Sequence, residues 1–136
     1  MMRAGTDSGG PPPCDDANMR SSVLIVDDDE PFRVLARALL QAEGFDVVGE
    51  AVDAASALAS VRSLRPGVVL LDVQLPDLDG FEVARQLAEE SEPPMIVLLS
   101  SRGEASYRRR LAHAPVRGFI AKGDLSGVAL ALLIGD

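Results

Sequence analysis

From residue 23 onward the chain alternates short apolar runs with longer segments whose apolar residues recur every three or four positions. The runs at 23–26, 68–71 and 95–99 contain no polar side chain, as strands buried on both faces require. Two further strands are predicted over 46–51 and 118–121. Between them, helical periodicity predicts a first helix with Pro31 in its first turn and Gly44 as its stop. Its expected apolar stripe is Val34, Leu35, Ala38, Leu39 and Ala42. Further helices are expected over 54–64, 81–90, 104–112 and 126–134, the first carrying Leu58, Val61 and Leu64. Pro66-Gly67 and Pro93-Pro94 punctuate the chain between elements. Strands alternating with helices predict an α/β domain over 22–136, a doubly wound parallel sheet with helices on both faces. Residues 1–21, with the run Gly9-Gly10-Pro11-Pro12-Pro13, predict a disordered tail, and Met19 offers a second start besides Met1.

Composition narrows the function. With 136 residues, 47% of them hydrophobic, the chain can build its core without metals or disulfides. A single cysteine, Cys14, excludes an internal disulfide and suits a reducing compartment. No stretch resembles a signal peptide and no apolar run has the length of a membrane span, so a cytoplasmic protein is expected. A net charge of -8 argues against direct nucleic-acid binding. Arg108, Arg109 and Arg110 form a local basic patch, read as a solvated helix face.

Chemistry gathers where the strands end. The first runs into Asp27-Asp28-Asp29, the third into Asp72, the fourth into Ser100-Ser101 and the fifth into Lys122. In an open parallel sheet these ends emerge at one rim, where ligands bind at the topological switch point. Wet strand ends explain any one such residue, but poorly explain acids, hydroxyl and amine gathered together. Clustered carboxylates repel and one lysine cannot neutralise three of them, whereas a divalent cation with a taste for oxygen, such as magnesium, can.

The string Val-Leu-Ile-Val-Asp-Asp-Asp-Glu-Pro-Phe-Arg at 23–33 resembles the opening of a two-component response-regulator receiver domain. Leu-Leu-Asp-Val-Gln-Leu-Pro-Asp-Leu-Asp-Gly at 70–80 is similar to that family's phosphorylation loop. Ile-Val-Leu-Leu-Ser at 96–100 and Gly-Phe-Ile-Ala-Lys at 118–122 resemble its fourth and fifth strands. The resemblance covers 23–134 and implies a flavodoxin-like five-stranded sheet of order 2-1-3-4-5. It implies that Asp72 accepts a phosphoryl group from the phosphohistidine of a sensor histidine kinase or phosphotransfer protein. It implies Mg2+ (or Mn2+) held by Asp28 and Asp72, by Asp27 through water, and by the backbone carbonyl of Gln74. It further implies that Lys122 neutralises the phosphoryl charge, that Ser100 hydrogen-bonds a phosphoryl oxygen, and that Phe119 is the aromatic switch residue. Such a domain catalyses its own phosphotransfer and dephosphorylation but is not otherwise an enzyme.

Some features depart from the family pattern. Gly123 follows the lysine where most members have proline, and Pro115 stands where many have glycine. Residues 128–134 carry no charge, and a helix apolar nearly all round suggests a homodimer contact or the docking of an output partner. Two other classes compete. A pseudo-receiver interaction module usually lacks an acid or the lysine, and neither is missing. A haloacid-dehalogenase-like phosphohydrolase needs Asp-x-Asp followed by a small or hydroxyl residue, and a cap; here Glu30-Pro31 follows the acids.

Overall fold

The computed structural model describes residues 22–135. The expected tail over 1–21, with Cys14 and Met19, lies outside the described residues, as does Asp136. Strands β1 (Ser22–Val26), β2 (Asp46–Ala51), β3 (Val68–Asp72), β4 (Met95–Ser100) and β5 (Gly118–Ala121) alternate with helices α1 (Glu30–Ala42), α2 (Ala54–Leu64), α3 (Gly80–Ala88), α4 (Arg108–Leu111) and α5 (Gly127–Ile134). Every strand pairing is parallel, and the order is β2-β1-β3-β4-β5. This is the expected doubly wound fold.

Alternation within the strands splits the core into two layers. Leu24, Val26, Val69, Leu71, Ile96 and Leu98 pack beneath α2 and α3. Val23, Ile25, Val68, Leu70, Val97 and Leu99 pack beneath α1 and α5. Central strands therefore need apolar residues at every position, which is why their sequences show no alternation. Local signals set the helix ends. Gly44 adopts φ 94 after α1, and the amides of Gly44 and Phe45 bond the carbonyls of Gln41 and Leu40. Asp53 and Ser56 close a capping box at α2, and Ser126 caps α5.

The stripe expected on α1 is corrected. Val34 and Leu35 are each 61% exposed, while Ala36 and Leu40 are buried and Phe32 and Leu39 pack beside them. The helix carries more apolar residues than one face can hold. Its rotation is pinned by Arg33 and Arg37, whose Nε atoms lie 2.9 and 2.6 Å from the Glu50 carboxylate on β2. The Arg-rich helix expected over 104–112 is also corrected. A 3-10 turn (Glu104–Tyr107) passes into the single turn of α4, with Tyr107 at φ -124 and ψ 11 between them. Tyr107 is buried there, so the aromatic anchor overrides continuous helix. Helix α3 starts at Gly80 and stops at Ala88, shorter than expected. On α5, Leu130 and Ile134 are buried, whereas Val128 and Leu132 are 67% and 78% exposed.

Candidate functional site

Asp72 is the last residue of β3 and Ser100 the last of β4, one position beyond the Leu99 that pairs with Asp72. Asp27 immediately follows β1, and its amide donates to the Ala51 carbonyl at 3.0 Å. The β1–β3 pair is where strand order reverses, and the acids Asp27 and Asp72 end those two strands. Among the described residues, the buried polar side chains are Asp27, Asp72 and Ser100. Burying polar groups costs free energy unless partners repay it, so such a set at one rim points to function.

Three of the acids and the lysine come together at this rim. Lys122 Nζ lies 2.6 Å from Asp27 Oδ2 and 3.5 Å from Asp72 Oδ2. Oxygens of Asp27, Asp28 and Asp72 all fall within 4.8 Å of one another. Asp28 is exposed, so this cluster opens to solvent on one side. Burial, and then the charge of Asp27, push the Asp72 carboxyl up to about 6, although the Gln74 amide and Lys122 pull the other way. Burial opposes the charge on Lys122 as well, but Asp27 and Asp72 outweigh it and hold the amine above its ordinary value. Asp27 Oδ2, although ion-paired with Lys122, lacks a partner in hydrogen-bonding geometry and is fully enclosed. An all-oxygen donor set with two buried carboxylates sharing one lysine fits a hard divalent cation. Asp29 occupies the cap position of α1 without a side-chain cap bond, so capping does not account for the acids.

The loop after Asp72 is built by residues that the strand-end pattern did not single out. Asp72 Oδ1 accepts from the Gln74 amide at 3.2 Å. Gly80 donates its amide to the Val73 carbonyl at 2.8 Å, and a Cβ there would stand 2.4 Å from the Asp72 carbonyl oxygen. Only glycine permits that approach. Asp77 accepts from the amides of Ala54 and Ala55 at 2.8 and 3.2 Å, tying the loop to the start of α2. These bonds lower the Asp77 pKa. Asp79 caps α3 through the Phe81 amide and also pairs with Arg110 at 2.9 Å. Arg33 donates to the Asp27 carbonyl at 2.7 Å, fixing the acidic turn. The signal for Asp77 and Asp79 was their place between Pro76 and Gly80, a stretch dense in turn formers.

Ser100 lies beside this centre but bonds elsewhere. Its Oγ is 3.1 Å from the Tyr107 hydroxyl and accepts from the Arg102 amide at 3.0 Å. Phe119 is half-buried, its ring 5.8 Å from that of Tyr107, which in turn sits 5.9 Å from Phe81. Lys122 opens a 3-10 turn through Asp124, its Nζ 4.9 Å from the Phe32 ring centre. No cis peptide occurs among the described residues.

The family profile described as "Response regulator receiver domain" matches residues 23–127. The chain belongs to that family. Its receiver domain is 36% identical over 112 residues to a protein of Pseudomonas aeruginosa named as a transcriptional regulator, a match covering 82% of this chain and 54% of the relative. It is 47% identical over 85 residues to the protein-glutamate methylesterase/protein-glutamine glutaminase 5 of Myxococcus xanthus, covering 62% of this chain and 24% of that one. The chain thus spans about half the length of the first of these relatives, and less of the second. The receiver domain of the response regulator NarL from Mycobacterium tuberculosis superposes with a TM-score of 0.73 at 30% identity, covering 85% of this chain and 98% of that one. Among the described residues, no helix is long and apolar enough to cross a membrane.

Proposed function

We propose that this receiver is a phosphorylation switch in which Asp72 takes a phosphoryl group from the phosphohistidine of a sensor histidine kinase or phosphotransfer protein. The observation that carries this reading is Lys122 Nζ reaching both buried carboxylates at the rim where three acids cluster within 4.8 Å. In the transfer an Asp72 oxygen forms the new bond to phosphorus while the donor's N–P bond breaks and its electrons return to the imidazole. Phosphoryl transfer has a loose transition state, so the protein's task is positioning and charge neutralisation. Asp28 and Asp72, with the Gln74 carbonyl, would hold Mg2+ (or Mn2+) directly, and Asp27 through water. When bound, the cation neutralises charge on the phosphoryl oxygens and on the acids. Lys122 supplies the opposing positive charge from the β5 side.

Ser100 then bonds a phosphoryl oxygen, worth roughly 1.5–3 kcal/mol. Phe119 moving inward adds up to roughly another 1.5–3 kcal/mol. Because Phe119 is already half-buried, the lower part of that range applies. Together they give roughly 3–4.5 kcal/mol, short of the about 5.5 kcal/mol that inverts a 1:99 equilibrium, so the two residues bias the switch strongly without inverting it on their own. The readout face is α5 and β5, where a groove of about 410 Å³ is lined by Phe119, Ala129, Leu132 and Leu133. Exposed Val128 and Leu132 beside it suit a homodimer or an output partner. The switch works in the cytoplasm and binds no nucleic acid through this domain.

Incubation with acetyl phosphate and magnesium tests the reading by intact mass. One phosphoryl adduct is expected, released by hydroxylamine and absent in Asp72→Asn. Labelling that persists in that variant places the acceptor elsewhere and overturns the proposal. Light scattering with and without the donor tests the α5 face, and a monomer in both states removes the dimer.

A further inference from the structure

Ser100 is held by two neighbours, and counting its valences gives a direction. A serine hydroxyl offers one proton and two lone pairs. The Arg102 amide, 3.0 Å away, fills one lone pair. Tyr107 Oη stands 3.1 Å from the same oxygen in a buried contact. A phenol is a stronger acid than an alkyl alcohol, and a buried tyrosine hydroxyl needs an acceptor. Either hydroxyl can donate across that contact, and the more acidic one, Tyr107, is taken as the donor with Ser100 accepting. Both lone pairs are then filled, and the serine proton is its one free valence.

We propose that Tyr107 is a positioning residue that acts through Ser100, holding its hydroxyl as a ready proton donor for the phosphoryl oxygens on Asp72. This rests on the phosphoacceptor reading above. The tyrosine ring is clamped between Phe81 and Phe119, at 5.9 and 5.8 Å, and the 3-10 turn it closes has no other buried residue. Clamping fixes the hydroxyl without using it, so ring and hydroxyl can be separated by substitution. Once an anionic oxygen accepts from Ser100, the chain Tyr107 to Ser100 to phosphoryl polarises along its length, and each bond strengthens the next.

Fluoroberyllate with magnesium, a mimic of the phosphoryl group on a carboxylate, is the probe. Tyr107→Phe keeps the ring stack and is expected to bind it about threefold to tenfold more weakly, the usual worth of one hydrogen bond. In a Ser100→Ala background the same substitution is expected to add nothing. The chain has one tyrosine and no tryptophan, so the unaltered protein also reports. Fluoroberyllate is expected to red-shift the tyrosine absorbance, as a strengthened phenol donor bond does, and Ser100→Ala to abolish the shift. Equal or tighter binding by Tyr107→Phe, an equal loss in the Ser100→Ala background, or a blue or absent shift each overturns the proposal alone. Failure of the unaltered protein to bind the probe overturns the phosphoacceptor reading and takes this proposal with it.

Discussion

Both ends of the sheet carry ion pairs, and they are opposite in kind. At the end where the strands begin, Arg62 meets Glu90 at 3.2 Å and Arg65 meets Glu92 at 3.1 Å, one cation to each anion, with the arginines 66% and 72% exposed. At the end where the strands finish, one half-buried lysine faces two buried aspartates. The first arrangement is matched, screened by water and worth little. The second is unmatched and desolvated, so each partner depends on the others. The sheet tolerates this imbalance only at the rim where its strand order reverses. A folded chain optimised for stability alone would not concentrate uncompensated charge there, whereas a site awaiting a cation and a phosphoryl group has reason to.

The largest effect should follow from removing the lysine. Lys122→Met leaves Asp27 and Asp72 buried without a counter-charge and is expected to cost about 2–3 kcal/mol in urea unfolding with chelator present. Magnesium should restore part of that loss, and acetyl phosphate labelling should slow severely. A loss below about 0.5 kcal/mol would put the two rims on the same footing. Next comes Gly80→Ala, expected to cost about 2 kcal/mol because its Cβ would meet the Asp72 carbonyl oxygen at 2.4 Å. Since the strain falls on the backbone of the acceptor itself, labelling should fall even at temperatures where the domain stays folded.

Asp72→Asn should do the reverse. The Asp72 pKa is raised from 3.8 to about 6, so between those values the folded state holds a proton that the unfolded chain has released. Stability contributed at this position is therefore full below the lower value and falls as pH rises through the upper one. The asparagine variant escapes that fall. In chelator at pH 7.5 it is expected to be more stable by about 1 kcal/mol once solvent screening is allowed for, and equal to the parent near pH 4. Added magnesium should raise the melting temperature of the parent more than that of the variant.

The fold was legible because β1, β3 and β4 each carry an unbroken apolar run, over 23–26, 68–71 and 95–99, and a run of that kind has few other uses in a short chain. Asp27, Asp72, Ser100 and Lys122 were legible for a related reason: each is the first polar residue after such a run. Periodicity failed on α1, where Val34 and Leu35 form a second apolar stripe that the structure leaves exposed. Which stripe turns inward depends on Arg33 and Arg37 reaching Glu50, a contact across the 13 or 17 residues that separate them in sequence. Tyr107 was missed for the same physical reason. Its meaning lies in Ser100, Phe81 and Phe119, none of them a helical neighbour, and within a run of arginines it read as part of a polar helix.

The smallest effect is expected at the opposite rim, and it sharpens the contrast most cleanly. Glu92 and Arg65 pair at 3.1 Å with both side chains more than 70% exposed, so water already solvates each charge. Glu92→Gln keeps the shape and removes the charge, and is expected to change unfolding free energy by less than about 0.5 kcal/mol. Whatever remains should shrink as salt is raised, because exposed charges are screened over a Debye length of about 10 Å at 0.1 M. The Lys122→Met cost should respond far less to salt, since buried charges are screened much less than exposed ones. Magnesium separates the two again: it should leave the Glu92→Gln difference untouched while narrowing that of Lys122→Met. If the two substitutions instead cost the same and responded alike to salt and magnesium, burial at the strand ends would confer nothing special on the charges there, and the case for a cation-dependent site at that rim would lose its electrostatic basis.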